Sequence, residues 1–152
     1  MTIALLLGLL STAEAAPSQQ YWDVGATLGM PGGLNATGAY WTGHFGARAT
    51  LGYGGYSSGA SLSALYRHKE IRPQQASHSV GLVWGHTEIA DGHATYLAVA
   101  YEMDLKRGFY MQAGLGLSPR STVPLVPILS IGWVKRMHSK ADPEPKKGPD
   151  KS

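Results

Sequence analysis

The feature that most constrains the fold is a regular alternation of residue types across 95–117. From Leu97 to Leu105 every second residue is apolar, while the residues between them are small or polar and include two carboxylates. A short turn containing Gly108 interrupts the alternation, which then resumes. Such a period of two on both sides of a turn is typical of an antiparallel β-hairpin. One face of the hairpin is apolar over about ten residues, the length that a tilted strand needs to cross a bilayer.

The same alternation recurs along most of the chain. It predicts eight strands, at 21–30, 34–41, 45–53, 60–68, 78–88, 95–105, 109–117 and 125–137. An even number of antiparallel strands can close with both termini on one side, and closure removes the unpaired edges that lipid cannot satisfy. The sequence therefore predicts an all-β protein, an eight-stranded antiparallel up-and-down transmembrane β-barrel.

Composition agrees with strands and turns. The 152 residues contain 20 glycines and only two phenylalanines, and no internal stretch approaches the roughly 18 apolar residues of a membrane-spanning helix. The net charge of +3 is small and does not indicate a nucleic-acid surface. With no cysteine in the chain, a disulfide framework and a thiolate metal site are excluded.

The two ends of the chain differ from the barrel between them. Residues 1–16 resemble a signal peptide, because an apolar stretch precedes the small-x-small sequence Ala13-Glu14-Ala15. Residues 17–137 form the predicted barrel. Residues 138–152 are rich in Pro, Lys, Asp and Glu and predict a disordered polar tail, whose lysines suggest at most a weak contact with the cell wall.

Charged residues within the strands fall on the face opposite the apolar set, which we expect to point inward. Three acids and three bases are involved: Asp23, Arg48, Arg67, Glu102, Asp104 and Arg136. The interior of an eight-stranded barrel is only wide enough to be filled by side chains, so these charges must pair. The sequence predicts a closed, salt-bridged interior.

Aromatic residues concentrate near one end of the predicted barrel, the end that carries both termini. Transmembrane barrels place aromatic side chains at the membrane–water interface. The interface aromatics predicted on this basis are Trp22, Trp41, Phe45, Tyr66, Phe109 and Trp133.

In strand number, alternation and glycine/aromatic content, residues 21–137 resemble the small eight-stranded outer-membrane barrels, such as the OmpA transmembrane domain and OmpX-like proteins. The resemblance implies insertion into a Gram-negative outer membrane by the barrel-assembly machinery, with outer-membrane lipid and lipopolysaccharide as surroundings and the termini in the periplasm. The chain departs from these proteins in its very short loops and in the tail that follows the last strand.

Two other functions remain open. A soluble periplasmic lipocalin-like barrel would bind an apolar ligand with its apolar face turned inward. Some small barrels resemble lipid A-modifying enzymes, and the residues here that would serve such chemistry are His86, Glu88, Asp91 and His93. We find no serine predicted beside them, and the six histidines lack metal-ligand spacing, so we expect no enzyme, no cofactor and no metal.

Overall fold

The chain forms a closed barrel of eight antiparallel strands in sequence order, as seen in a computed structural model that describes residues 20–68, 76–89, 92–105, 108–119 and 124–138. The strands are β1 Gln20–Gly29, β2 Gly33–Thr42, β3 Phe45–Tyr53, β4 Ser57–Arg67, β5 Ser77–Ile89, β6 Gly92–Asp104, β7 Phe109–Leu117 and β8 Leu125–His138. The predicted all-β, up-and-down architecture is confirmed. Among the described residues, no helix is long and apolar enough to cross a membrane.

Most strand boundaries agree with the sequence to within one or two residues, and the exceptions lie around β4–β6. The β4 strand begins at Ser57 instead of residue 60, and the β5–β6 hairpin remains paired as far as Ile89 and Gly92. The predicted loop at 89–94 was too long. Serines, threonines and histidines near the hairpin end carry a weak alternation, but their backbone groups still complete the ladder. The predicted signal peptide at 1–16 lies outside the described residues, as does the tail beyond His138.

The register of the eight strand pairs defines how the barrel closes. If paired residues are followed from strand to strand, starting at Trp22 on β1 and passing through β2 to β7, the row arrives at Pro127 on β8. In the direct pairing of β1 with β8, however, the partner of Trp22 is Met137, which lies ten residues further along β8. A stagger of ten residues around eight strands corresponds to a strand tilt of about 40°. We call the end that holds Gln20 and His138 the terminal end and the opposite end the distal end.

Side chains alternate between the two faces of the wall as predicted. Large apolar residues such as Leu28, Leu51 and Leu129 are about 60% exposed on the outer face. The inner face holds polar and charged side chains, among them Thr37, Ser63 and the carboxylate of Asp23, all buried. The barrel therefore has an apolar outer wall, and its interior holds the buried polar and charged side chains together with an apolar cluster that includes Val83 and Ile128.

The distal end of the barrel is narrowed by the turn between β1 and β2, which folds inward. Pro31 and Gly32 are buried, and the Thr87 hydroxyl donates to the Pro31 carbonyl at 2.6 Å. The Ser130 hydroxyl donates to the Met30 carbonyl at 2.8 Å. Asn35 holds the turn from below, because its Oδ1 accepts from the Gly32 N–H and its Nδ2 faces the carbonyls of several turn residues. The first distal turn thus lies inside the barrel mouth.

Candidate functional site: the charged interior and the apolar outer wall

The six charges predicted to face inward all lie on the inner face of the barrel and toward its terminal end. Asp23, Arg48, Arg67 and Glu102 are at most 2% exposed, and Asp104 is also buried. Arg136, near the end of β8, is partly exposed. All six participate in ion pairs with one another.

The first group of pairs surrounds Asp104. Its Oδ2 lies 2.7 Å from Arg67 Nη2 and 3.7 Å from Arg136 Nη2, and it accepts a hydrogen bond of 3.1 Å from the Ser77 hydroxyl. Arg136 also reaches Asp23, with its Nε 3.1 Å from Oδ1. Two acids and two bases therefore form one continuous chain of charges.

The second group consists of Arg48 and Glu102, which lie 3.3 Å apart between Nε and Oε2. Gln112 donates to the other carboxylate oxygen at 3.0 Å. The guanidinium of Arg48 stacks over the ring of Tyr110, 4.5 Å from its centroid. Because a buried ion without partners costs several kcal/mol, this arrangement lets both charges remain inside the barrel.

Aromatic side chains complete the terminal half of the interior. The guanidinium carbon of Arg67 lies 3.3 Å from the ring centroid of Trp41 and 5.7 Å from that of Tyr21. Arg136 stacks over the other side of this cluster, 4.5 Å from the Tyr21 ring. Stacking on aromatic faces stabilises a desolvated guanidinium by about 2 kcal/mol or more.

The placement of Trp41 corrects one prediction. Trp41 was grouped with the interface aromatics, but it is fully buried inside the barrel. Its neighbour Tyr40 faces outward, and strand alternation then sends Trp41 inward. Space for the indole comes from Gly46, its partner on β3, where a Cβ atom would lie only 2.5 Å from the ring.

The interior residues Tyr21, Gln112, Tyr110 and Ser77 were not predicted as part of the charged site. The first three occupy the inward positions of their strands, so the alternation itself placed them beside the charges. Their residue types could have identified them as partners of the charges, because a buried arginine is stabilised by aromatic faces and a buried carboxylate by additional hydrogen-bond donors.

The other five predicted interface aromatics lie on the outer wall near the terminal end. They pack in cross-strand pairs, with ring centroids 5.4 Å apart for Phe45 and Tyr66 and 5.3 Å apart for Phe109 and Trp133. Trp22 packs in the same way against Tyr40, at 4.8 Å. Between them and the distal end, the outer wall is formed mainly by aliphatic side chains and alanines, with Trp84 and Tyr53 among them.

The residues considered for lipid A chemistry come together only in part. His86 and Glu88 lie at the distal end, with Nε2 and Oε1 3.7 Å apart, and the His86 and His93 rings are 6.0 Å apart. Asp91 lies outside the described residues. Ser58 was missed, because β4 begins earlier than predicted; its hydroxyl donates to Glu88 Oε2 at 3.3 Å.

The partner of His86 is a threonine, not a serine. His86 Nδ1 lies 2.9 Å from Thr95 Oγ1, whereas the Ser58 hydroxyl contacts Glu88. A hydrolytic site needs the nucleophile beside its base and donors aimed at the developing oxyanion.

Among the described residues, no group of three or more His, Cys, Asp or Glu side chains is arranged to hold a metal ion.

A scan of the chain against protein-family models finds no match, and a search of curated proteins finds no relative. The geometry of the barrel is therefore the basis on which a function can be inferred.

Proposed function

We propose that this protein is an integral outer-membrane β-barrel with a closed, salt-bridged interior and a structural or interaction role in the bacterial envelope. The observation that carries the proposal is the inverted distribution of side chains. Charges such as Arg48 and Glu102 are buried within the barrel, while leucines, valines and tryptophans cover its outside. Water favours the opposite arrangement, and a bilayer favours this one.

The extent of the apolar surface supports a lipid environment. Exposed large apolar residues occur on every strand, so they form a belt around the wall and are not confined to one face. The largest apolar patch on a soluble monomer is usually only a few hundred Å² and marks one binding site. A continuous apolar belt is stable when an apolar solvent, such as the hydrocarbon of a bilayer, surrounds the barrel on all sides.

The height of the belt supports the same proposal. A strand of ten residues tilted by about 40° advances about 25 Å along the barrel axis, which equals the height of the apolar band on transmembrane barrels. Outward polar residues are found at the ends of this span: Lys135 at the terminal end and Glu88 at the distal end.

The filled interior favours a closed barrel and not a conducting pore. Arginines and carboxylates fill its terminal half, an apolar cluster that includes Val83 and Ile128 fills part of its distal half, and the Met30–Gly32 turn lies in the distal mouth. The outer-membrane location, the periplasmic termini, lipopolysaccharide as a neighbour and delivery by the barrel-assembly machinery belong to this proposal. The absence of enzymatic activity remains a prediction.

A soluble lipocalin-like barrel is the second candidate, favoured only by the shared closed eight-stranded architecture and by that apolar cluster. In such a barrel an apolar ligand would occupy the interior. Here the ligand would share that interior with six charged side chains, and the apolar belt would face water.

The proposal is tested by expressing the full-length chain, fractionating the envelope and running each fraction on SDS gels with and without boiling. We expect the protein in the outer-membrane fraction, with an unboiled band that migrates faster than the boiled one, because a closed barrel resists detergent. Recovery in the soluble periplasm without a heat shift would contradict the proposal and favour the lipocalin-like alternative.

A further inference from the structure

A shallow groove of about 550 Å³ crosses the outer wall from β1 to β6. Its floor is formed by small side chains on neighbouring strands: Gly38, Ala47, Ala49 and Ala64. Larger side chains border the floor, with Trp22 at the terminal end and Trp84 and Leu97 toward the distal end. The groove is almost entirely apolar and runs obliquely up the belt.

The distal end of this groove opens onto a group of polar residues on the same outer face. Trp84 pairs with Leu97, and the next outward-facing pair along the same two strands is His86 with Thr95. One further step brings Glu88 opposite His93. We call Ser58, His86, Glu88, His93 and Thr95 the distal polar cluster. Ser58, Glu88, His86 and Thr95 are linked through the Ser58–Glu88, Glu88–His86 and His86–Thr95 contacts, and the His93 ring lies 6.0 Å from the His86 ring.

The charge of the distal polar cluster indicates which headgroup it can hold. Within β4, β5 and β6 as the structure describes them, no lysine or arginine faces outward, and Glu88 is the one carboxylate on that face. A phosphate group would meet this carboxylate without a compensating cation. Ligand hydroxyl groups can donate to the Glu88 carboxylate and to the Ser58 oxygen, and they can accept from the Thr95 hydroxyl when His86 Nδ1 carries the hydrogen of the His86–Thr95 contact. The cluster therefore matches an uncharged, hydroxyl-rich headgroup.

We propose that the groove and the distal polar cluster form a binding site for an amphiphile of the glycolipid class, whose hydrocarbon chain lies along the Ala47–Ala49 floor and whose uncharged sugar headgroup binds the cluster. The inference rests on the proposed insertion into a membrane, since it needs the belt in hydrocarbon and the cluster at the interface. It adds a ligand site that the structural role alone does not require.

The test uses full-length protein in phosphatidylcholine vesicles titrated with an alkyl glucoside that carries a nitroxide on its chain, from below to well above one probe per barrel. Electron spin resonance should show an immobilised fraction of the probe that saturates at about one per barrel. Replacing the floor by Ala49→Leu with Ala64→Leu should weaken this binding about tenfold, because the two leucines fill the groove and remove the packing contacts of the probe's chain, which are the attraction left between apolar groups in hydrocarbon. The control Ala113→Leu makes the same change on the outward face of β7, away from the groove, and should leave binding unchanged.

The headgroup is tested separately with a phosphate-headed probe of the same chain. The wild type should prefer the glucoside, and Glu88→Lys should reverse this preference while leaving chain immobilisation intact. Equal binding by the wild type, the Ala49→Leu/Ala64→Leu variant and the Ala113→Leu control, or a preference of the wild type for phosphate, would overturn the inference.

The heat shift of each sample on SDS gels separates this inference from the proposed function. A heat-shifting barrel that immobilises no probe refutes the glycolipid site and leaves the membrane proposal standing. A protein that does not insert into the vesicles refutes both.

Discussion

At the scale of single residues, the interior is packed by pairing large side chains with glycines on the neighbouring strand. Trp41 lies opposite Gly46 and Tyr96 lies opposite Gly85, and in each case a Cβ atom on the glycine would overlap the ring. An eight-stranded barrel has room for few large side chains at any level along its axis. Each large side chain therefore needs a glycine, which has no side chain, on the neighbouring strand. The glycines are therefore part of the interior packing.

We predict that Gly46→Ala destabilises the barrel by about 1–3 kcal/mol, because the new methyl group overlaps the buried indole of Trp41. The measurement is the free energy of unfolding from urea titration of the folded barrel in detergent micelles. In a Trp41→Leu background the same Gly46→Ala substitution should cost much less, whereas additive losses would contradict the overlap.

The buried pair of Arg48 and Glu102 yields a second residue-scale prediction. Arg48→Leu leaves the Glu102 carboxylate buried beside Gln112 without its cation, and we expect a loss of about 3–5 kcal/mol in unfolding free energy. The control is Lys135→Leu, which removes a positive charge from the outer face.

Removing both charges separates pairing from burial in the same urea titration. Because a buried pair replaced by apolar residues is often neutral, Arg48→Leu combined with Glu102→Leu should be more stable than Arg48→Leu alone. An Arg48→Leu variant as stable as the wild type would mean that the two charges do not depend on each other.

At the scale of elements, the inward turn between β1 and β2 decides whether the distal mouth is open. The turn is attached to three different strands through Asn35 on β2, Thr87 on β5 and Ser130 on β8. Of the other turns that the structure describes in full, the one between β3 and β4 folds back on itself, since the Gly54 N–H donates to the Ser57 carbonyl. The distal mouth is therefore closed by a small number of specific hydrogen bonds.

We predict that Thr87→Val combined with Ser130→Ala loosens this turn without unfolding the barrel. Thr87→Val leaves the buried Pro31 carbonyl without the Thr87 hydroxyl, which costs about 1–3 kcal/mol, and Ser130→Ala removes one of the donors to the Met30 carbonyl. Amide hydrogen exchange should accelerate at 30–35 and stay unchanged in the middle of β6 and β7. The control Thr95→Val removes a hydroxyl from the outer face and should not affect the turn.

At the scale of the whole molecule, the contrast between wall and interior predicts how charge is tolerated along the barrel axis. Leu82 lies in the middle of the outer belt and His93 lies beyond its distal edge. If hydrocarbon surrounds the belt, Leu82→Arg should cost about 2–4 kcal/mol and His93→Arg about 0–1 kcal/mol. Unfolding free energies measured in lipid vesicles test this difference. Two equally small costs would favour a barrel surrounded by water.

Much of the architecture could be predicted from the chain. The period of two assigned each strand residue to a face, and the number of strands implied closure, because edges must be paired. The inward charges Asp23, Arg48 and Glu102 followed from the same alternation. The hairpin around Gly92 was underestimated, since backbone pairing continues where side chains carry no alternation.

What the sequence by itself determined is the local pattern: strands, turns and which face of each strand is apolar. Only the tertiary structure decided the ten-residue stagger, the partners of each charge and the inward path of the Met30–Gly32 turn. The physical reason is that alternation depends on adjacent residues, while register and pairing depend on contacts between residues far apart in the chain. Asp23 and Arg136 meet because closing the barrel places β1 beside β8.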